Sequence, residues 1–274
     1  MSRMSEFSIQ LGDCLDLMKK MPDCCIDLTV TSPPYDNLRT YNGAIEQWNF
    51  EKFKSIALEL HRVTAKGGVV VWIVADATIK GSETCTSFEQ ALWFRECGFN
   101  LHDTMIWAKQ NCGGIGSLNR YENVFEYMFV FSKGKPKTTN IIKDKPNKFG
   151  GMVQHGSARQ ANGSTTKTTG YGKRKIAEFG RRHNVWIISP EKSNLKRCHP
   201  AQFPEALAHD HIISWSNPGD TVLDPFMGSG TTCVSCIETG RKFIGFEIDE
   251  EYFSVALKRI NQASAKYSEK DVSQ

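Results

Sequence analysis

Residues Thr221–Thr232 read TVLDPFMGSGTT, a short apolar run that ends in Asp224 and leads into a turn containing Gly228 and Gly230. The apolar run predicts a strand, and the threonines after the second glycine open a predicted helix. Glycine is needed where the backbone passes close to a ligand, and the start of a helix presents unpaired N–H groups. No lysine follows the second glycine, so the turn is not a phosphate-gripping P-loop. The pattern predicts a ligand turn at the carboxyl end of a strand.

A second apolar run follows the predicted helix and again ends in an acidic residue. Phe243–Asp249 reads FIGFEID, and its Glu247 comes 17 residues after Gly230. An acidic side chain at the end of the second strand is the usual partner of ribose hydroxyls. A Gly-x-Gly turn alone is weak evidence, but Asp224 before it and Glu247 after it favour a nucleoside-binding site.

Both ends of the chain alternate strand-like and helix-like stretches. Ile26–Thr31 and Gly68–Val74 are short, β-branched runs bounded by turn residues, which predicts buried strands. Between them, apolar residues from Phe50 to Val63 recur at helical spacing. Further helices are predicted at about 87–97 and 204–215, and further strands at 103–107 and 125–131. This alternation predicts an α/β fold with a mostly parallel sheet covered by helices on both faces.

A serine–proline turn follows the first of these strands. Thr31–Tyr35 reads TSPPY, and its consecutive prolines force an extended, rigid backbone. The side-chain oxygen of Ser32 and the carbonyl oxygen of Pro33 can then accept from one NH2 group and direct its nitrogen lone pair toward a methyl donor. Tyr35 offers a flat face on which an extruded base can stack. Alone, the motif could be a simple tight turn; beside the ligand turn, it predicts chemistry on a base amino group.

The formal net charge of +4 hides a strong asymmetry along the chain. Residues 110–198 hold 17 lysines and arginines against 5 acidic residues, whereas the remainder holds 17 against 25. A basic middle inside an acidic frame indicates a polyanion contact, although a charge run by itself also fits a solvated loop. From Ser132 to about Arg182 the chain is rich in Lys, Gly, Ser, Thr and Asn, which cannot bury much surface. We expect this segment to be a mobile insertion that recognises the target.

The composition limits which classes of protein the chain can belong to. Hydrophobic residues make up 40% of the 274 residues, enough for an ordinary core. No apolar run is long enough to cross a bilayer, and residues 1–10 lack a secretory signal. The odd count of nine cysteines favours reduced thiols in a cytosol, and the Cys233-x-x-Cys236 pair is expected to face the core rather than a metal. No metal site is predicted.

The motifs DPFMGSGTT, FIGFEID and TSPPY together resemble the amino-methyltransferases of restriction–modification systems. Their order, with the catalytic motif first and the cofactor motif last, is that of the permuted β class of this family. The resemblance implies a Rossmann-like, S-adenosylmethionine-dependent methyltransferase fold with a seven-stranded, mostly parallel sheet. It divides the chain into a catalytic half at 1–131, a target-recognition insertion at 132–182 and a cofactor-binding half at 183–274.

The resemblance also implies roles for individual residues. The target base would be held and stacked by the catalytic motif, Ser32, Pro33, Pro34 and Tyr35. The methionine part of the cofactor would be lined by Asp224, Phe226, Gly228, Gly230 and Thr231. Glu247 would bind its ribose, Asp13 would lie near its adenine, and Gln202 and Phe203 would cap it. DNA would contact the basic residues Lys173, Arg174, Lys175, Arg181 and Arg182.

The implied reaction is direct methyl transfer to the exocyclic N4 of a flipped cytosine. Ser32 stands where many adenine enzymes of the family carry Asp, and by family habit this favours cytosine N4 over adenine N6. Hydrogen bonding separates the two bases only weakly: a serine hydroxyl could donate to the ring nitrogen beside the amino group of cytosine, but adenine offers a similar acceptor. A cysteine-based route to cytosine C5 is disfavoured because the chain has no Pro-Cys dipeptide. The alternatives are an N6-adenine enzyme, a methyltransferase acting on RNA or protein, and a non-catalytic DNA-binding subunit.

The expected partner is double-stranded DNA, with no membrane contact. The expected location is the cytoplasm, on the nucleoid when bound to DNA. The sequence leaves open a homodimer and a cognate restriction endonuclease that acts separately.

Overall fold

The computed structural model describes residues 7–35, 48–110, 119–190 and 203–271, with side chains described as far as Tyr267. The helices are α1 (Cys14–Met18), α2 (Phe50–Val63), α3 (Thr86–Glu96), α4 (Glu205–Trp215), α5 (Thr231–Glu238) and α6 (Glu250–Asp271). The strands of the main sheet are β1 (Phe7–Leu11), β2 (Ile26–Thr31), β3 (Thr64–Val74), β6 (Asn100–Lys109), β7 (Phe125–Ser132), β12 (Val185–Ile188), β13 (Thr221–Asp224) and β14 (Lys242–Glu247). The short strands are β4 (Thr78–Ile79), β5 (Ser82–Glu83), β8 (Lys145–Pro146), β9 (Ser157–Arg159), β10 (Thr165–Lys167) and β11 (Phe179–Gly180).

The main sheet has eight strands in the order β1-β14-β13-β2-β3-β7-β6-β12. Strand β7 runs antiparallel to both of its neighbours, and the other five pairings are parallel. The predicted mostly parallel α/β sheet is confirmed. It has one strand more than the predicted seven because β12 adds to its edge, where Val185–Ile188 pair in parallel with Ile106–Lys109.

Helices cover both faces of this sheet. Residues of β3 alternate between the two hydrophobic cores: Val69, Val71 and Ile73 join one, and Val70, Trp72 and Val74 join the other. The first core is closed by α4, α5 and α6, and the second by α1, α2 and α3. Side chains of a strand point alternately to opposite faces, so a continuous apolar run is the pattern of a strand buried on both sides.

The thiols of the described cysteines are all free. Cys233 and Cys236 are fully buried on α5, which confirms that this pair faces the core. None of the helices in the described ranges has the length and apolarity needed to span a bilayer.

The chain divides into two compact units. The larger contains residues 1–140 and 184–274 and holds the main sheet; the smaller is Ile141–His183. Residues 132–140, which the sequence analysis placed in the insertion, belong to the larger unit. Within the smaller unit, β8 pairs with β11 and β9 with β10, both antiparallel, and most side chains are exposed. Its stability rests on short ladders and turns rather than on a large core.

Phe94 on α3 provides a test of the packing. Its ring is fully buried against Phe53, Trp72 and Phe131. Replacing Phe94 with Ala should lower the free energy of unfolding by about 3–5 kcal/mol, since it removes apolar contacts and leaves a cavity. Phe88 on the same helix is 45% exposed and is the matched control, with an expected loss of about 1 kcal/mol or less for Phe88→Ala. Urea denaturation of both variants measures the difference; equal losses would contradict the packing described.

Candidate active site

The two motifs that the sequence analysis singled out end neighbouring strands. Strands β2 and β13 pair in parallel, with Leu28 opposite Val222, so the turns that follow them emerge at the same edge of the sheet. At that edge Thr31 Oγ1 donates to Asp224 Oδ1 at 2.6 Å, and both residues are buried. The hydrogen bond joins residues 193 positions apart and fixes the TSPPY turn against the glycine turn.

A cavity opens at this edge of the sheet, with an empty volume of about 990 Å³ that includes its mouth. Its lining comes from the segments after β1, β2, β13 and β14, together with α2 and Phe203 before α4. Of the residues predicted from sequence, the cavity brings together Asp13, Ser32, Pro33, Pro34, Phe203, Phe226, Gly228, Thr231 and Glu247. Gln202 lies outside the described residues.

Glu247 holds the glycine turn in place. Its Oε2 accepts from the backbone N–H of Gly228 at 2.7 Å, and its Oε1 accepts from those of Ile248 and Asp249 at 2.9 Å. Gly228 has a φ of +52° and Gly230 one of +81°, a region that favours glycine. Burial raises the pKa of Glu247, against the effect of the three backbone bonds. The carboxylate therefore shapes the cavity wall as well as facing it.

Two residues predicted to line the methionine part of the cofactor lie behind the described cavity wall. Gly230 caps the start of α5, where a Cβ would come within 3.2 Å of Ala256. Asp224 is 2% exposed and accepts from Thr31 and, at 3.2 Å, from the backbone N–H of Phe226. Burial raises the pKa of Asp224 to about 6. Asp224 therefore ties the two turns together from beneath the cavity.

Asp13 reaches the cavity from the turn after β1. It caps α1 by accepting from the backbone N–H of Leu15 at 2.8 Å, and it forms an ion pair with Lys52 of α2. Burial pushes the pKa of Asp13 up, but the bonds from Lys52 and Leu15 outweigh it and hold the pKa below its usual value. The sequence analysis missed Lys52, which also lines the cavity, because a lysine in the first turn of an amphipathic helix reads as an ordinary surface residue.

Aromatic side chains also line the cavity. Phe203, Phe226, Trp48 and Tyr252 surround the cavity, and the rings of Trp48 and Phe226 meet edge to face at 5.5 Å. Aromatic faces suit a flat heterocycle and a nearby positive charge, and carboxylates suit hydroxyl donors. This lining fits a nucleoside that carries a cationic group. In the described part of the chain, no cluster of three or more His, Cys, Asp or Glu residues could hold a metal ion.

The TSPPY turn is anchored by a chain of hydrogen bonds. Ser32 Oγ donates to Tyr35 Oη at 2.8 Å, and Tyr35 Oη donates to Glu126 Oε2 at 2.5 Å. Glu126 Oε1 forms an ion pair with Lys109 Nζ at 2.5 Å. Tyr35 is 6% exposed and is not among the described lining residues, whereas Ser32 lines the cavity. Glu126 is the one acidic residue in the apolar run FEYMFVF, and that exception is a sequence signal that could have identified it. It was missed because it belongs to none of the recognised motifs.

A family model for N6/N4 methyltransferases, described as DNA methylase, matches residues 26–258. The chain belongs to this family of DNA methylases.

Relatives of this DNA methylase support the assignment along most of its length. It is 52% identical to the orphan methyltransferase M.BamHII of Bacillus amyloliquefaciens, over 89% of this chain and 92% of that one. It is 31% identical to the DNA adenine methyltransferase YhdJ of Escherichia coli K12, over 92% of this chain and 82% of that one. The crystal structure of M1.HpyAVI in complex with SAM superposes with a TM-score of 0.64 at 25% identity, covering 93% and 99% of the two chains. The expected Rossmann-like methyltransferase fold is confirmed.

The smaller unit of the DNA methylase carries the basic residues predicted to contact DNA. Lys173, Arg174 and Lys175 are all exposed. Lys175 also pairs with Val153 through an isolated antiparallel bridge. Arg181 is also exposed. The guanidinium of Arg182 forms an ion pair with Asp144 and holds the pKa of that carboxyl below its usual value. Arg182 therefore already has a structural partner within the unit.

The buried Asp224 should leave a signature in the pH dependence of stability. Its folded pKa of about 6 lies above the unfolded value of 3.8, so the folded state binds more protons between these values. Raising the pH through this window should therefore destabilise the wild-type protein relative to Asp224→Asn, by up to about 3 kcal/mol. Urea denaturation of both proteins from about pH 4 to 7 measures the difference. A pH-independent difference would contradict the elevated pKa.

Proposed function

We propose that this DNA methylase transfers a methyl group to the exocyclic N4 of a cytosine in double-stranded DNA, with S-adenosylmethionine as the donor. The observation that carries the proposal is the juxtaposition of Ser32 and Gly228 on one cavity, at the shared edge of β2 and β13. The acceptor turn and the donor site thus open onto the same cavity. Orientation of two reactants in this way supplies much of the rate of a direct transfer.

The glycine turn and the aromatic side chains of the cavity would hold the cofactor. It supplies a methyl group already activated on a sulfonium. Glu247 would accept hydrogen bonds from the ribose hydroxyls. Its two carboxylate oxygens have two lone pairs each, and the three backbone bonds do not use all of them. Asp13 lies toward the adenine, where its ion pair with Lys52 holds the carboxylate in one position. Phe203 and Phe226 pack against the cofactor and exclude water.

The target base is held at the TSPPY turn. Ser32 Oγ and the carbonyl oxygen of Pro33 accept the two hydrogens of the amino group, so that the nitrogen lone pair points into the cavity. Tyr35 braces the turn through its bond to Glu126. Because its ring is 6% exposed and lies outside the described cavity lining, stacking of the flipped base requires the ring to become accessible when DNA binds. Pro34 keeps the turn extended. No acid or base is required before the methyl group moves. The nitrogen becomes positively charged once its lone pair has bonded to the methyl group, and it then loses one proton to solvent water.

The choice of cytosine rests on Ser32. Serine at this position, in place of aspartate, is the family feature associated with cytosine N4. Adenine N6 is the second candidate, favoured by the 31% identity to the adenine methyltransferase YhdJ. The hydroxyl hydrogen of Ser32 points to Tyr35, so Ser32 meets the base as an acceptor, as an aspartate would. Discrimination between the bases then depends on the shape of the pocket around the ring.

The substrate is DNA, acted on in the cytoplasm, and the smaller unit recognises it. The exposed residues Lys173, Arg174, Lys175 and Arg181 neutralise backbone phosphates. The hydrogen-bonded chain from Ser32 to Lys109 argues against a subunit that only binds DNA, because such a subunit would have no use for it.

Nucleoside analysis tests the proposed reaction. DNA incubated with the protein and labelled S-adenosylmethionine should yield N4-methylcytosine on digestion and mass spectrometry. Ser32→Ala is the control, with methyl transfer reduced at least about tenfold, because an acceptor of the amino hydrogens is lost. N6-methyladenine as the product would reject cytosine in favour of the second candidate. RNA and protein tested in parallel should remain unlabelled.

Charge neutralisation tests the DNA contact of the smaller unit. Changing Lys173, Arg174 and Lys175 to Gln should weaken DNA binding and reduce the slope of log K against log salt by up to about 3. The matched control changes the exposed Lys66, Lys258 and Lys266 of the larger unit to Gln, which removes the same charge. Binding titrations at several salt concentrations compare the two. Equal slopes for the two triple variants would place the DNA contact elsewhere.

A further inference from the structure

We propose that Glu126 is a positioning residue that sets the direction of the Ser32 hydroxyl, so that Ser32 can only accept from the base amino group. The inference rests on the proposed function, because it concerns how Ser32 meets its substrate. It gives a part in the reaction to a residue of strand β7, which lies outside both the TSPPY motif and the glycine turn.

The direction of each hydrogen bond follows from the charge at the end of the chain. Glu126 Oε1 lies 2.5 Å from Lys109 Nζ, and a carboxylate paired with an ammonium group accepts hydrogen bonds rather than donating them. Tyr35 must therefore donate its single hydrogen to Glu126, which leaves Tyr35 Oη as an acceptor for Ser32. The one hydrogen of Ser32 is thus committed, and only lone pairs of its oxygen face the cavity.

The fold explains how Glu126 reaches this position. Strand β7 is the antiparallel member of the sheet, so its amino end lies at the edge where the parallel strands end. Glu126 is the second residue of β7, next to Tyr127, which pairs with Val74 at the end of β3. It is 4% exposed. Burying an ion pair offers little net stability compared with apolar packing, so this one calls for a role beyond folding.

Without the carboxylate the chain can reverse. A neutral amide at position 126 can donate to Tyr35 Oη, which then donates to Ser32 and turns the Ser32 hydrogen toward the cavity. A Ser32 hydrogen that points at the NH2 group repels the amino hydrogens. The Ser32 oxygen then no longer holds the amino group in place. The loss falls on methyl transfer, since the cofactor contacts other residues.

The experiment is a double-variant cycle with Glu126→Gln and Tyr35→Phe, read out as single-turnover methyl transfer to DNA at saturating cofactor. Each single variant should slow transfer at least about tenfold. The double variant should be no slower than the slower single one, because both changes break the same chain. Cofactor affinity, measured by calorimetry, should stay within about twofold of the wild type. Glu59→Gln is the matched control, because it breaks the 2.7 Å ion pair between Glu59 and Arg62 on α2, outside the described cavity lining.

Three results would overturn the inference. A folded Glu126→Gln protein with the wild-type transfer rate would show that the carboxylate has no part in the reaction, and the proposed function would stand. Independent losses that multiply in the double variant would show that Glu126 acts through packing. If Glu126→Gln does not fold, Tyr35→Phe decides alone, and an unchanged rate rejects the chain. Absence of transfer by the wild-type protein to any nucleic acid would instead reject the proposed function, and this inference with it.

Discussion

The active site depends on the parallel pairing of β2 and β13 and on the hydrogen bond that closes its end, from Thr31 to Asp224. The TSPPY turn and the glycine turn come from opposite ends of the chain, and neither can position itself. Parallel strands place their carboxyl ends at one edge, which brings the turns together; the buried bond then sets their spacing. Because Asp224 is enclosed, its interaction is not screened by water, and a shift of one turn is transmitted to the other.

Buried carboxylates perform the same task at three points around the cavity. Asp224 joins the two turns, Glu247 holds the glycine turn through backbone N–H groups, and Glu126 anchors the TSPPY turn through Tyr35. Burial disfavours each charge. Hydrogen bonds oppose this effect only in part at Asp224 and Glu247, whose pKa values stay raised by burial, and Glu126 is paired with Lys109. At these points the protein uses directional hydrogen bonds instead of apolar packing. A hydrogen bond can fix the orientation of a hydroxyl or of a backbone turn, whereas an apolar contact cannot.

The sequence predicted the strands and turns whose structure is determined by their own local pattern of apolar, glycine and proline residues. The runs at Ile26–Thr31 and Thr221–Asp224 are strands as expected, and Ser32, Gly228 and Glu247 share one cavity. Strand β12 was missed because its four residues have no local boundary signal and are ordered by pairing with β6. Lys52 and Glu126 were missed for a related reason. Their roles depend on partners, Asp13 and Tyr35, that are distant in sequence and that only the tertiary fold brings near.

The orientation of the Ser32 hydroxyl changes how its identity bears on the choice of base. From sequence, a serine differs from an aspartate because it can donate, and a donor could have recognised the ring nitrogen beside the amino group of cytosine. In the folded protein that hydrogen is used by Tyr35, so the difference in hydrogen bonding disappears and a difference in charge and size remains. An aspartate would place a second negative charge close to Glu126, which is separated from Ser32 only by the hydroxyl of Tyr35. A neutral residue at position 32 avoids this repulsion between two carboxylates, so the serine suits its buried neighbour as well as the base proposed to bind beside it.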